Sequence, residues 1–423
     1  MTTKVELGFT PSGGAAPFFT LDDAIKGLLD SPLYVLGGEV LADVSEYVKS
    51  VSINRGKSLE LDRFRAGAGS VQFNNDTRVF DPSYTLSPYY GQIQPKRRLR
   101  ISLDDVVQFD GTIDDWDIDY NRGGYSVATA NAVDATQNLT GINLEELVVT
   151  EQLAGARVNT TLDAISWDAD RRDIATGSST LAAQTVAGNT NTFNYLQTIA
   201  QSEPGDLFIS KEGNVKFVDR YAPVTGDNPA FADDGTGIEY TQVSTIIGSE
   251  LLYNNITVTS TAGTSNAVNQ TSIDTYGEID YELATLLSSQ TQLDNLASFL
   301  LNRYSEPRYR ISDIGINLRT QSAPDRATIL DIELGDIAQV TFTPSGIPPA
   351  FVTFAKVIRI QQNHSPELEL FTFGLEALSG VVLVLNDPEF GKLDEGYFLS
   401  GPYNAWTLND AIYGRLSAGM AVS

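Results

Sequence analysis

Apolar residues recur at every second position through most of this chain, with Gly, Asn, Asp or Pro between the runs, and that period of two commits it to β-strands. Arg98 to Leu103 sets Leu99, Ile101 and Leu103 against Arg98, Arg100 and Ser102. Asp115 to Tyr120 alternates Asp115, Asp117 and Asp119 with Trp116, Ile118 and Tyr120. Strands with one polar face belong to antiparallel sheets with one wet side. The same pattern predicts strands at Val48–Ile53, Ser70–Phe73, Asn255–Thr259, Ile337–Thr343, Phe351–Ile360 and Leu368–Leu375.

Helical periodicity interrupts this pattern in few places. Leu293, Leu296, Ala297, Leu300, Leu301 and Tyr304 form one apolar stripe closed by Pro307, which predicts a helix over 292–304. Shorter helices are expected over about 192–201 and 160–165. The expected fold class is mainly β with an α+β insertion: two β-barrel-like domains related by pseudo-duplication, separated by a small α/β domain with few helices. The corresponding limits are an N-terminal arm 1–36, a first β domain 37–150, an α/β domain 151–240, a second β domain 241–378 with its inserted helix, and a C-terminal arm 379–423.

Composition narrows the chemistry. Twenty-eight Lys and Arg against 54 Asp and Glu leave a net charge of -26 over 423 residues, which disfavours general nucleic-acid binding by phosphate neutralisation. Cys is absent and His364 is the one histidine, so disulfides, thiol nucleophiles and Cys- or His-built metal sites are excluded. His364 lies in Gln361–Pro366, which reads as a surface turn between strands, and no Gly-x-Ser-x-Gly elbow supplies a serine partner. No phosphate-cradling glycine loop appears, and any carboxylate pair for a glycosidase is undiagnostic among 54 acids. No catalytic, cofactor or metal residue is assigned. Asp114, Asp115, Asp117, Asp119 and Asn121 invite a calcium reading, but Arg122 stands where a calcium loop needs Gly, so the aspartates read as a solvated face. Lys96, Arg97, Arg98 and Arg100 are expected to pair with acids of a neighbouring chain. No basic-then-apolar leader follows Met1, and the longest apolar stretches, such as Val381–Leu385, are too short to span a membrane, so a cytoplasmically made protein without signal peptide or membrane anchor is expected.

A Leu-Asx-Asp-x-x-x-Gly-x-Leu pattern occurs three times near the ends, on Leu21, Asp23 and Gly27, on Leu385, Asp387 and Gly391, and on Leu408, Asp410 and Gly414. It reads as an Asx-initiated turn or short helix ended by Gly and followed by a docking strand, or as a shared turn type with no binding role. Its terminal placement makes these residues candidate contacts with neighbouring subunits.

Three stretches in a fixed order resemble minor tail proteins of long-tailed bacteriophages. The first runs Ser52-Ile53-Asn54-Arg55-Gly56-Lys57-Ser58 through Leu61 to Phe64, Ala66-Gly67, Asn74-Asn75 and Phe80-Asp81-Pro82, then Pro95 to Ile101 and Phe109 to Trp116. The second is Tyr195 to Glu203 with Gly205-Asp206-Leu207-Phe208 and Gly213 to Arg220. The third is Leu296 to Arg303 with Ser305-Glu306-Pro307, then Leu334-Gly335-Asp336. Together they cover about residues 37–378.

The resemblance implies a structural subunit of the tail tip or baseplate hub, with the fold of the central hub of contractile-tail phages and no enzymatic activity. Such hubs are homotrimers whose paired barrels form a pseudo-sixfold ring between tail tube or distal tail proteins and a central fibre or other tip proteins. Genomic DNA is a partner only in passage, the location is the virion tail tip, and no cofactor is implied. The Asp115, Asp117, Asp119 face becomes the candidate acidic lining of the channel, because phosphates find no contacts there. A distal tail ring protein, a receptor-binding fibre subunit and a virion-borne glycosidase are the alternatives.

Overall fold

The computed structural model describes residues 2–9, 40–220 and 228–378, with the backbone of 400–401 and 404–405. The fold is mainly β with few helices, as the alternation predicts. Seven strands form the first block: β1 Thr3–Phe9, β2 Val40–Asp43, β3 Val48–Gly56, β4 Arg65–Asn74, β5 Arg98–Leu103, β6 Val106–Asp119 and β7 Val127–Val133. The middle carries helices α1 Ala154–Ala164 and α2 Thr192–Ser202 and the hairpin β8 Asp206–Ile209 with β9 Val215–Val218. Beyond it come β10 Ala230–Ala232, β11 Gln242–Ile246, β12 Asn255–Ser260, β13 Gly263–Val268, β14 Asp280–Ala284 and α3 Gln290–Tyr304. The remaining principal elements are β15 Arg310–Asn317, α4 Ala323–Asp331, β16 Ile337–Phe342, β17 Phe351–His364 and β18 Glu369–Ala377.

Strands from both β blocks share one 13-stranded sheet in the order β11-β15-β18-β17-β3-β4-β7-β6-β5-β1-β2, with β16 on β17 and β10 on β16. The seam is β17 against β3, where Arg359 to His364 pair antiparallel with Gly56 to Val51. Alternation decides which face is buried. In β4, Gly67, Gly69, Val71 and Phe73 point inward, and Gly69 carries no side chain because a Cβ there would lie 2.7 Å from the Phe109 ring. In β6 the register shifts between Ile113 and Asp115, so Phe109 and Ile113 face the core before the bulge and Trp116 and Ile118 after it.

Three apolar cores result. One fills the first block around Val51, Phe73, Phe80 and Ile101; a second packs Ile314, Ile329, Val357 and Phe373. The third joins Val158, Leu196 and Phe217 of the middle segment to Ile256, Leu293 and Leu300, so the β12–β14 sheet and α3, expected with the second β block, share a core with α1 and α2. Their register supports this: β12 pairs β13 antiparallel and β14 parallel, apart from the large sheet.

Helix α3 begins two residues before its predicted start, with the Ser289 hydroxyl accepting from Gln292 N at 3.4 Å as its N-cap. Helix α1 starts well before the expected 160, because the residues on its inner face include Gly155 and the fully buried Arg157, which break the apolar period. His364 corrects the surface-turn expectation. It is the last residue of β17, 4% exposed, on the inward side with Ile360 and Gln362, because the strand continues four residues past its predicted end. The basic cluster also differs from expectation: Lys96 pairs with Asp114 at 3.0 Å and Arg98 with Asp110 at 2.5 Å, acids of its own chain across the β5–β6 hairpin. Among the described residues no helix is long and apolar enough to cross a membrane.

Candidate functional site

The three stretches that resemble tail proteins meet in space at the end of β3. The alternation of β3 sends Val51, Ile53 and Arg55 inward, so a guanidinium enters the core in register with aliphatic side chains. Arg55 donates to Glu333 Oε1 at 2.7 Å and Oε2 at 3.3 Å and to Ile209 O at 3.4 Å. Glu333 accepts in addition from the backbone of Lys211 and Leu334, each at 2.7 Å. Burial opposes ionisation of Glu333, yet Arg55 and these donors hold its carboxyl below the usual range. Lys211 Nζ in turn donates to Leu330 O at 3.0 Å and Asp331 O at 2.7 Å, capping the C-terminal carbonyls of α4.

Two residues on, Lys57 enters a second buried cluster. Its Nζ lies 2.9 Å from Asp206 Oδ1, and Lys356 Nζ lies 2.6 Å from Oδ2 of the same carboxylate. Glu376 lies 3.5 Å from Lys356 and 2.8 Å from Arg303, which also reaches Glu60 at 3.3 Å. Burial pushes toward the neutral acid, but Lys356 and Lys57 overcome it and hold Asp206 well below the usual carboxylate range. Glu60 goes the other way: burial raises it despite Arg303. Between the clusters Gly56 adopts φ +116°, and a Cβ there would sit 2.2 Å from Ile358 O. Strand β3, hairpin β8–β9, helix α3 and strands β17 and β18 thus converge on compensated charge. Arg55, Gly56, Lys57, Asp206 and Arg303 all belong to the resembling stretches; Glu333, Lys356 and Glu376 were not singled out, and only Glu333, beside Leu334-Gly335-Asp336, had a nearby signal.

The predicted acidic face is on the outer side of β6. Asp115, Asp117 and Asp119 are exposed, and the Asn131 amide donates to Asp115 at 2.7 Å and Asp117 at 3.0 Å. The polar row continues across the sheet: Asp115 is opposite Asn131, Asn131 opposite Ser70, Ser70 opposite Ser52 and Ser52 opposite Asn363. Ser70 donates to Asn131 at 2.9 Å and Ser52 to Asn363 at 3.0 Å. The repeat residues Leu21, Asp23, Gly27, Leu385, Asp387, Gly391, Leu408, Asp410 and Gly414 lie outside the described residues.

Neither place assembles a nucleophile with a base. The junction acids are held by cations, and buried His364 meets Gln362 Oε1 at 3.3 Å, with burial pushing its imidazole down to about 4. Among the described residues no group of three or more acids or histidines is placed to hold a metal ion.

No protein-family model and no curated protein matches the chain. Solved structures do. The 43 kDa tail protein of prophage MuSo2 from Shewanella oneidensis aligns over 88% of this chain and 98% of its own, with a TM-score of 0.56 and 9% identity. A tail protein from Neisseria meningitidis MC58 aligns over 90% of this chain and 97% of its own, with a TM-score of 0.57 and 11% identity. At such identities the likeness is one of fold, and the chain has the fold of these tail proteins.

Proposed function

We propose that this chain is a structural subunit of a phage tail tip or baseplate hub, without enzymatic activity. The observation that carries the reading is the fold match to tail proteins over nearly the whole of both chains. The β strands on either side of the α/β segment that share the large sheet, β3–β7 on one side and β15–β18 on the other, act as two similar units in a trimeric ring, while β12–β14 and α3 go with the α/β segment. That ring joins distal tail and tube proteins to a central fibre, with the terminal repeats as further contacts. The polar outer row with Asp115, Asp117 and Asp119 faces the channel, where an acidic surface denies phosphates a foothold as DNA passes. Quantitative mass spectrometry of intact virions tests this: about three copies per tail tip are expected, whereas six copies, or absence from particles, would overturn the hub assignment. Zymography on peptidoglycan is expected to be blank.

A further inference from the structure

Residues 337–355 carry no charged side chain, in a chain of which 19% is charged, so their bareness does not follow from composition. They form the hairpin of β16 and β17. Its ladder closes at Phe342 opposite Phe351, and residues 344–350 beyond that pair are all exposed. This tip holds three prolines with Gly346, Ile347 and Ala350 around a single hydroxyl, Ser345. Ile347 is 70% exposed and Val352, just inside the ladder, 55%. A Cβ at Gly346 would meet nothing within 4 Å, so the tip stands clear of the described residues.

Its backbone is short of donors. Pro344, Pro348 and Pro349 have no N–H. Gly346 N donates to Thr343 O at 2.9 Å and Ile347 N to Pro344 O at 3.0 Å, and at the root Thr343 N donates to Asp233 at 2.6 Å. That leaves at most Ser345 and Ala350 with an N–H for solvent. Such a backbone suits a medium that cannot hydrogen-bond, where each unpaired donor is costly. A protein groove that captures an extended segment draws on main-chain donors, which this tip lacks.

Below the tip, Phe351 packs edge-on against Tyr309 at 5.6 Å, and Tyr309 is 44% exposed with its hydroxyl bonded to Thr245 at 3.0 Å. Ile247, 67% exposed, and Tyr309 each lie one residue beyond the Ile246–Arg310 pair of β11 and β15. A ring with one apolar and one wet end is at home at the headgroup level of a bilayer. Charge selects the headgroup. Exposed Asp233 and Asp234 stand at the root, and residues 337–355 offer an anionic lipid no cation. We infer that the β16–β17 tip inserts reversibly into the interfacial layer of a phospholipid surface with zwitterionic headgroups, Ile347 leading and Val352 and Tyr309 behind it. A tip of this size reaches the interface and does not span. The inference is independent of the hub reading.

Flotation of the full chain with phosphatidylcholine vesicles tests it. The wild type is expected to bind, and Ile347→Asp and Val352→Asp each to weaken binding about tenfold or more, with thermal melts unchanged because both side chains are exposed. Phosphatidylglycerol vesicles are expected to bind less at low salt and to recover as salt screens the repulsion. The chain has no cysteine, so Ile347→Cys takes a single environment-sensitive fluorophore, and its emission should shift to the blue on vesicles while the same label on Leu86→Cys, at a site 78% exposed, does not. A wild type that stays unbound at every lipid concentration, or aspartate variants that bind equally, would overturn the inference. So would a label that shifts at 86 and not at 347. If lipid is not bound and Ile347→Asp instead releases a virion protein, the tip belongs in a protein groove.

Discussion

Arg55 and Lys57 are 3% and 6% exposed, each closed around a carboxylate, whereas Asp115, Asp117 and Asp119 stand open to water on the outside of the same sheet. Both regions are rich in charge, but the energetics are opposite. An ion taken into the interior costs several kcal/mol unless its partner is placed to recover it, whereas exposed charges interact at about 0 to 1 kcal/mol per pair. Among the described residues the interior takes the cations Arg55, Lys57, Arg157, Lys211 and Arg310 together with acids such as Asp110, Asp206, Glu333 and Glu376, so buried charge is largely matched. The junction fixes how the units sit together; the strand face sets how the surface treats other molecules.

The largest way to break this comparison is at Gly56. Alanine there would need φ +116° and would place Cβ 2.2 Å from Ile358 O, a backbone atom at the sheet seam. Gly56→Ala is expected to yield little folded protein by circular dichroism. Gly91→Ala, with φ +76° but open space around it, is the control and should cost only about 1 kcal/mol. Equal behaviour of the two would mean that the seam is not tightly determined.

Next in size is Glu333→Gln. It leaves Arg55 buried without its counter-charge, and a cost of about 3 to 5 kcal/mol in urea unfolding is expected. Arg55→Met/Glu333→Gln should lose less than the two single losses added, since neither charge is then stranded. Strict additivity would show that the pair does not act as a unit.

His364 is a smaller case, buried with no counter-ion, its Nδ1 unpartnered. Burial alone lowers it to about 4 in the fold, against about 6.5 in an unfolded chain. The native state therefore binds fewer protons between those values. Its stabilising contribution is full above about pH 6.5 and is lost as pH falls toward 4, by up to about 3 kcal/mol. Thermal melts of the wild type and His364→Gln from pH 7 to 4.5 should diverge, the wild type falling faster. Parallel curves would mean the imidazole reaches water.

The strands were legible because alternation is a local signal: β5 spans Arg98–Leu103 as predicted, and α3 follows its apolar stripe. Helix α4 was missed although Ser322 caps Asp325 N at 3.3 Å, because its apolar pattern is weak and the cap alone does not distinguish a helix from a turn. The junction was half legible. Arg55-Gly56-Lys57 interrupts an apolar strand with two cations and a glycine, which marks something unusual, but its partners at 206, 333, 356 and 376 come from pairings that no local pattern specifies. His364 was misplaced because Gln361-Gln362-Asn363 looks like a turn, and buried amides such as Gln362, bonded to Gln108 at 2.9 Å, are invisible to a hydropathy pattern.

The smallest stability effect is expected where the proposed role is largest. Asp115→Asn/Asp117→Asn/Asp119→Asn keeps acceptors for the Asn131 amide and removes three exposed like charges, so unfolding should shift by no more than about 0.5 kcal/mol. A loss above about 2 kcal/mol would place this face with the junction as a structural element and end the contrast between them. Lysine at the same positions removes the acceptors of the Asn131 amide, which water replaces, so its cost to the fold should stay within about 1 kcal/mol, yet it offers phosphates three contacts in each copy. If this face lines the channel, particles carrying the lysine variant should release their genome more slowly at low salt and recover as added salt weakens those contacts. Release at the wild-type rate at every ionic strength would move the face out of the DNA path, and the asparagine variant separates that outcome from a general loss of charge.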